Sequence, residues 1–277
     1  MSALKALVRD WFPPALLHWV RQIRSEGIRF EGEFSTWEDA NALCTGYDAK
    51  EILDKVLTAT LKVKHGEAAF ERDSVLFDEI EYSWTVLTGL MWAAARTGGK
   101  LNVLDFGGAL GSSYFQNRKF LLTLPDLHWN VVEQSHYVEA GRKNIQDEKL
   151  KFYKTIKECL SENKPNVVLL SSVLQYLPDP FRTLDELAEI KADTLILDRT
   201  SFLSTGHKDL IRLQHVPESI CKATYPCHVF SEDKLCQFIS DRDYQLTEAF
   251  GSVDEFDPDT YWRGHIFYRA GLEPFTQ

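Results

Sequence analysis

Cysteine is scarce and unpatterned. The five thiols, Cys44, Cys159, Cys221, Cys227 and Cys236, are odd in number and include no C-x-x-C pair. Neither a disulfide framework nor a cysteine-ligated zinc site is expected from such usage. The loose grouping of Cys221, Cys227 and His228 reads as buried or spectator thiols, and no metal is expected. A reducing cytoplasmic setting fits. Long apolar runs are missing too, so no segment reaches the roughly 18 residues that a membrane-spanning helix needs. The first residues show neither an apolar core nor a small-residue cleavage site, and no secretory leader is expected. Positive charge is in deficit: 31 Lys and Arg stand against 41 Asp and Glu, a net charge of −10. A nucleic-acid binder normally carries the opposite balance, which argues against DNA or RNA as a partner. Internal repeats and low-complexity tracts are also lacking.

What remains is an ordinary globular composition, 44% apolar and 26% charged over 277 residues, enough to bury a large core unaided. Residues 1–98 read as helical. Ile52, Leu53, Val56, Leu57 and Leu61 recur at helical spacing behind Asp48 as N-cap. A second helix over 80–95 carries Trp84, Leu87, Leu90, Met91 and Ala94 and is stopped by Gly98 and Gly99. Phe34 to Tyr47 reads as irregular with a short helix. Between the two helices lies a segment dense in charge and hydroxyl, Gly66 to Asp78. The opening stretch, residues 4–24, mixes Trp11, Phe12, Leu16, Leu17, Trp19 and Val20 with Lys5, Arg9, Arg21 and Arg24. It reads either as a helix packed on the protein's own body or as a segment for a membrane surface or partner; the first is preferred.

From residue 99 the pattern becomes an alternation of strand and helix. Strands are expected at 101–106, 129–134, 150–156, 166–173 and 194–198, with helices at 112–124, 135–146 and 180–190. Continuous apolar runs mark strands covered on both faces, and the alternation implies right-handed βαβ units in a parallel sheet. An irregular insertion is expected at about 200–230. A helix started by Ser231 follows, and strands at 244–250 and 265–269 close the chain. The domain division is therefore 1–98 as a helical cap and 99–277 as an α/β core.

The chemistry concentrates at the first of these strands. Asp105 ends it, and Gly107, Gly108 and Gly111 follow before a helix. Glycine allows a left-handed turn and a close backbone approach, and the helix behind presents unpaired N–H groups. The dinucleotide fingerprint G-x-G-x-x-G is absent. An acid facing a pyrophosphate would be repelled, whereas an acid facing an ammonium is matched. The turn thus favours an amino-bearing, phosphate-free nucleoside cofactor, for which S-adenosylmethionine is the candidate. Glu133 lies 28 residues after Asp105, at the end of the second strand, where a carboxylate accepts ribose hydroxyls. Ser171, Ser172 and Gln175 end the fourth strand and face the same crevice.

The segments Asp105-Phe-Gly-Gly-Ala-Leu-Gly111, Glu133 and Leu170-Ser-Ser-Val-Leu-Gln-Tyr-Leu-Pro-Asp-Pro180 resemble class I S-adenosylmethionine-dependent methyltransferases. With Phe34-Ser-Thr-Trp37, Gly46-Tyr47, Glu71 to Asp78, Tyr114 and Trp129-Asn-Val-Val-Glu-Gln134, the chain resembles a family of bacterial methyltransferases associated with surface-polysaccharide biosynthesis. The match runs from residue 30 to about 200. It departs from the commonest methyltransferase pattern in having Gly-Gly at 107–108 for Gly-x-Gly. The resemblance implies a Rossmann-like sheet of order 3-2-1-4-5-7-6 with the last strand antiparallel, and an α-helical N-terminal cap over the cleft. It implies Asp105 and the Gly107–Gly111 turn near the methionine part, Glu133 at the ribose, and Tyr114 and Gln134 beside them. S-adenosylhomocysteine would be the product and a small-molecule or saccharide hydroxyl the acceptor.

Methyl transfer to a hydroxyl benefits from a base, and His is the usual type. His207, His215 and His228 stand in the segment after the fifth strand. Asp198 and Arg199 end that strand on the same rim, where Arg199 suits an anionic acceptor such as a nucleotide-linked sugar. Arg72 and Asp73 are alternatives, or an internal ion pair of small energetic value. Two other readings compete. A non-catalytic binding protein would keep the fold without turnover. A nicotinamide oxidoreductase is disfavoured by Asp105 and the missing G-x-G.

Overall fold

The computed structural model describes residues 29–44, 49–72, 74–206, 208–216, 223–252 and 259–271. The amphipathic opening at 4–24, Asp48, Asp73, His207 and Cys221 lie outside the described residues.

The core is built from strands whose runs are apolar on both faces. In chain order, β4 (Lys100–Phe106), β5 (Asp126–Val132), β6 (Leu150–Tyr153), β7 (Val167–Ser171), β8 (Thr194–Leu203), β11 (Tyr244–Gly251) and β12 (Thr260–Arg269) form one seven-stranded sheet. Its order is β6-β5-β4-β7-β8-β12-β11. Counted within the sheet this is 3-2-1-4-5-7-6. The first five strands pair in parallel, and β12 runs antiparallel to both β8 and β11. This is the order and direction that the resemblance implies.

Helices alternate with the parallel strands, as right-handed crossovers require. They are α4 (Ser112–Leu121), α5 (Ser135–Asn144), α6 (Ile156–Glu162) and α7 (Pro180–Ala188), with α8 (Glu232–Ser240) before β11. Two begin on side-chain caps. Thr155 accepts the N–H of Glu158 at 3.0 Å, and Asp179 accepts that of Arg182 at 3.2 Å, with Pro180 in the first turn. Ser231 precedes α8, but its side chain makes no capping bond. Its N–H is instead donated to Asp209 at 2.8 Å. Glu232 ties the start of α8 to β12 by accepting from Tyr261, Arg263 and His265.

Two apolar layers sandwich the sheet. One joins Leu101, Val103, Trp129, Val131 and Phe152 to Tyr114, Val138 and to Leu87, Leu90 and Ala94 of α3 (Trp84–Arg96). The other joins Leu104, Val168, Leu170 and Leu197 to Leu184, Leu187 and Leu235. Thus α3, expected as part of a separate cap, shares one core with the sheet. A Cβ on its Gly89 would stand 2.9 Å from Ile266 and 3.2 Å from Ile196, so the helix lies flat against β12 and β8.

Two expectations are corrected. Residues 29–98 are not all helical. Besides α1 (Trp37–Asn41) and α2 (Ala49–His65) they hold β1 (Arg29–Phe34) and a hairpin of β2 (Phe70–Arg72) and β3 (Val75–Phe77). The stretch at 200–230 is not irregular. It contains the end of β8, then β9 (Leu210–Val216) and β10 (Ala223–Val229), which form a three-stranded antiparallel sheet with β1. Mixed polar and apolar residues hid its periodicity. Pro226 is tolerated because β10 is the edge strand, where a missing N–H costs little.

Candidate functional site

The glycine turn sits where β4 meets α4. Gly107 and Gly111 adopt φ of +70° and +92°, the left-handed region that other residues enter at a cost. Space is equally restrictive. A Cβ on Gly107 would stand 2.3 Å from Val173, in the loop after β7. A Cβ on Gly108 would stand 2.4 Å from the Asp105 carboxylate. The turn is closed by the Gly111 N–H donated to Gly108 at 2.8 Å and anchored by the Gly107 N–H donated to Val132 at 2.9 Å. Gly111 offers no side chain to cap α4, so the first-turn N–H groups of that helix face the turn without a side-chain acceptor at the cap.

Asp105 lies under this turn with 0% exposure. One carboxylate oxygen accepts the Trp129 indole N–H at 2.9 Å. The other has no hydrogen-bond partner among the described residues. Burial pushes the carboxyl up to about 7, with nearby Glu133 adding to the rise and the Trp129 bond opposing it. A carboxylate held in this way is costly unless a donor or cation meets it. Glu133, just past β5, accepts the N–H of Gln134 at 2.7 Å. Burial raises its carboxyl above the usual range, against hydrogen bonds from the Gln134 and Ala109 backbone. The bond from Ala109 links Glu133 to the glycine turn itself. Asp105, Gly107, Gly108, Gly111 and Glu133 are thereby brought together. Gln134 is exposed at the start of α5. Tyr114 is buried on the core side of α4, its ring 5.9 Å from Trp129, and burial pushes its hydroxyl up to about 12.

The residues expected at the far wall form a second connected group. Ser171 donates to Asp198 at 2.7 Å, and the Ser172 N–H is donated to the Asp198 carbonyl at 2.9 Å. Gln175, buried, donates to the Arg199 carbonyl at 3.0 Å. The Arg199 guanidinium stands 3.8 Å from the Asp198 carboxylate. Ser171 and Asp198 are also paired in register across β7 and β8. The group therefore lies at the carboxyl end of the parallel strands, where open α/β sheets bind ligands.

The two described candidate histidines do not converge. His215 on β9 sits between Thr224, at 3.2 Å, and Glu31, at 3.0 Å. His228 on β10 is held flat between Trp37 and Phe230, with ring centroids 5.0 and 5.6 Å away. Burial is the main influence on this imidazole and holds its pKa below the usual value. In the β9–β10 register His215 faces Thr224 and His228 faces Ile211, so the two stand four residues apart, about 13 Å along the hairpin.

Two residues of the site were not foreseen. Trp129 stands out in sequence only as part of the Trp129–Gln134 segment, with no role of its own. Its bond to Asp105 follows from the parallel register that sets Val103 beside Trp129, with the two side chains on one face. Glu71, on β2, is buried and accepts a hydrogen bond from the Ser112 hydroxyl at the start of α4. The dense charge of its segment was the available signal.

Sheet order defines a Rossmann-like α/β fold, with an acid beneath a glycine pair and a second acid after the next strand at the carboxyl ends of its parallel strands. The turn fits an amino-bearing nucleoside: its buried carboxylate has an unmet oxygen, and Gly108 leaves open the space that any Cβ would fill. No family model matches the sequence, and no curated protein matches it. Among solved structures, the chain is similar to magnesium protoporphyrin IX methyltransferase from Synechocystis PCC 6803 with bound SAM. Identity there is 15%, with 78% of this chain and 97% of that chain covered and a TM-score of 0.46. It is similar to the CcbJ methyltransferase from Streptomyces caelestis at 14% identity, covering 66% and 90%, TM-score 0.44. It is also similar to a Burkholderia thailandensis 1,6-didemethyltoxoflavin-N1-methyltransferase at 14% identity, covering 82% and 92%, TM-score 0.40. It is the strand order of the chain itself that defines the fold.

Proposed function

We propose that this protein is an S-adenosylmethionine-dependent methyltransferase acting on a hydroxyl of a saccharide or other small molecule and releasing S-adenosylhomocysteine. The observation that carries this reading is the buried Asp105 carboxylate, half satisfied by Trp129 and pressed against a turn that admits no side chain at Gly108. A phosphate-bearing cofactor would be repelled there; a cofactor with an ammonium would be held. Asp105 and the Gly107–Gly111 turn would hold the methionine part, with Tyr114 behind them. Glu133 and Gln134 would hold the ribose, and Ser172 and Gln175 would border the opposite wall.

When bound, the cofactor supplies a methyl group on a sulfonium, open to in-line attack. The chain's contribution is placement and proton removal. Asp198 would accept the proton of the acceptor hydroxyl, oriented by the Ser171 hydrogen bond. Arg199 would face an anionic portion of the acceptor, such as a nucleotide-linked sugar. His215 and His228 serve packing in this account, each being engaged by neighbours. The segments before residue 99 would close over the cleft, in a cytoplasmic protein.

Incubation with methyl-labelled S-adenosylmethionine and a panel of free and nucleotide-linked sugars tests this. Labelled sugar and stoichiometric S-adenosylhomocysteine are expected. Tight cofactor binding with no transfer to any hydroxyl would instead favour a binding protein.

A further inference from the structure

Glu71, in the N-terminal part, meets Ser112, the residue directly after the glycine turn. Its hairpin places it there by strand alternation. Phe70 and Arg72 point one way, with the Phe70 ring stacked on Phe77 at 5.8 Å and the Arg72 guanidinium over both rings and 2.8 Å from Glu81. Glu71 points the other way, toward α4. It is 1% exposed and accepts from the Ser112 hydroxyl, in the first turn of that helix.

Two buried acids therefore flank one tight turn. Asp105 lies beneath Gly108, with an oxygen that no described residue meets. Glu71 lies at Ser112, four residues on, and the Gly111-to-Gly108 hydrogen bond folds that interval into a single turn. Between them stand the first N–H groups of α4, uncapped by the Gly111 side. Carboxylates beside helix N–H donors match a zwitterion: the acids take an ammonium and the helix end takes a carboxylate.

Resting on the S-adenosylmethionine reading, we infer that Glu71 is a cofactor-binding residue. Its carboxylate receives the α-ammonium of the cofactor's amino-acid arm, and the 70–77 hairpin is the element that closes the methionine side of the site. The N-terminal part thus contributes directly to cofactor recognition and does more than cover the cleft.

Calorimetric titration of the full chain with S-adenosylhomocysteine and with 5′-methylthioadenosine, which lacks the amino-acid arm, tests this. Glu71→Gln should weaken S-adenosylhomocysteine at least tenfold and leave 5′-methylthioadenosine within about twofold. Glu71→Asp, which keeps the charge on a shorter arm, should retain part of the affinity. Unchanged S-adenosylhomocysteine affinity in Glu71→Gln would overturn the assignment. So would equal losses for both ligands, which would make the residue structural. If the native chain bound neither ligand, the cofactor reading itself would fail; if it bound both and Glu71→Gln behaved like it, only the role of Glu71 would fall.

Discussion

Trp129 donates its indole N–H to Asp105 at 2.9 Å, engaging one carboxylate oxygen and leaving the other unmet among the described residues. That bond opposes the upward push of burial on the carboxyl. A hydrogen bond to a charged group is worth about 1.5–3 kcal/mol. Trp129→Phe should therefore move the Asp105 titration above about 7. Cofactor affinity at neutral pH should fall, and its pH dependence should shift upward. Titrations between pH 6 and 9 read both, and an unshifted profile would show that the bond does not govern Asp105.

The same acid makes stability depend on pH in a definite direction. Its carboxyl is raised from 3.8 to about 7 in the fold, so the folded state holds the proton more tightly than the unfolded chain. Its contribution favours folding below about pH 4 and is withdrawn as pH climbs to about 7. The full shift corresponds to on the order of 4 kcal/mol. Asp105→Asn lacks this term. Without ligand, its melting temperature relative to the native chain should rise between pH 4.5 and 8 and exceed the native value at the upper end by several degrees. A pH-independent difference would contradict the burial argument.

Gly108→Ala places a methyl carbon 2.4 Å from an Asp105 oxygen that Trp129 already fixes. Overpacking of this kind costs about 1–3 kcal/mol. Urea denaturation should show that loss, and calorimetry at least a tenfold drop in cofactor affinity. Gly251→Ala, with nothing within 4 Å of its added carbon, should leave both unchanged.

Asp198 and Ser171, 2.7 Å apart, separate chemistry from binding. Asp198→Asn should lower turnover by about 100-fold or more, the usual scale for a lost general base, while S-adenosylmethionine affinity stays within a few-fold. Ser171→Ala should cost less, since it removes an orienting bond and leaves the carboxylate. Retained turnover in Asp198→Asn would remove it from the proton path.

Much of this was legible in sequence because it is written locally. Val103, Leu104, Asp105 and the glycines at 107, 108 and 111 announce strand, acid and turn within a dozen residues. Glu133 follows from strand periodicity alone. The sheet order came from resemblance, and this chain's own pairing bears it out. Non-local pairings were opaque. Nothing adjacent in sequence joins Trp129 to Asp105, Glu71 to Ser112, or β1 to β9. The three-stranded sheet reads as irregular in sequence because Arg212, Gln214, His215, Pro226 and His228 break the alternation of half-buried strands. The histidines drew notice by residue type, yet their surroundings are aromatic stacking for His228 and a Glu31–Thr224 bracket for His215.

Asp105 is proposed to select an ammonium-bearing, phosphate-free cofactor. Parallel calorimetric titrations of the native chain and Asp105→Ala with S-adenosylmethionine and NADH test it most directly. The native chain should bind S-adenosylmethionine, a folded Asp105→Ala should lose most of that affinity, and neither should bind NADH. Tight NADH binding without S-adenosylmethionine binding, or unchanged S-adenosylmethionine affinity in Asp105→Ala, would contradict it.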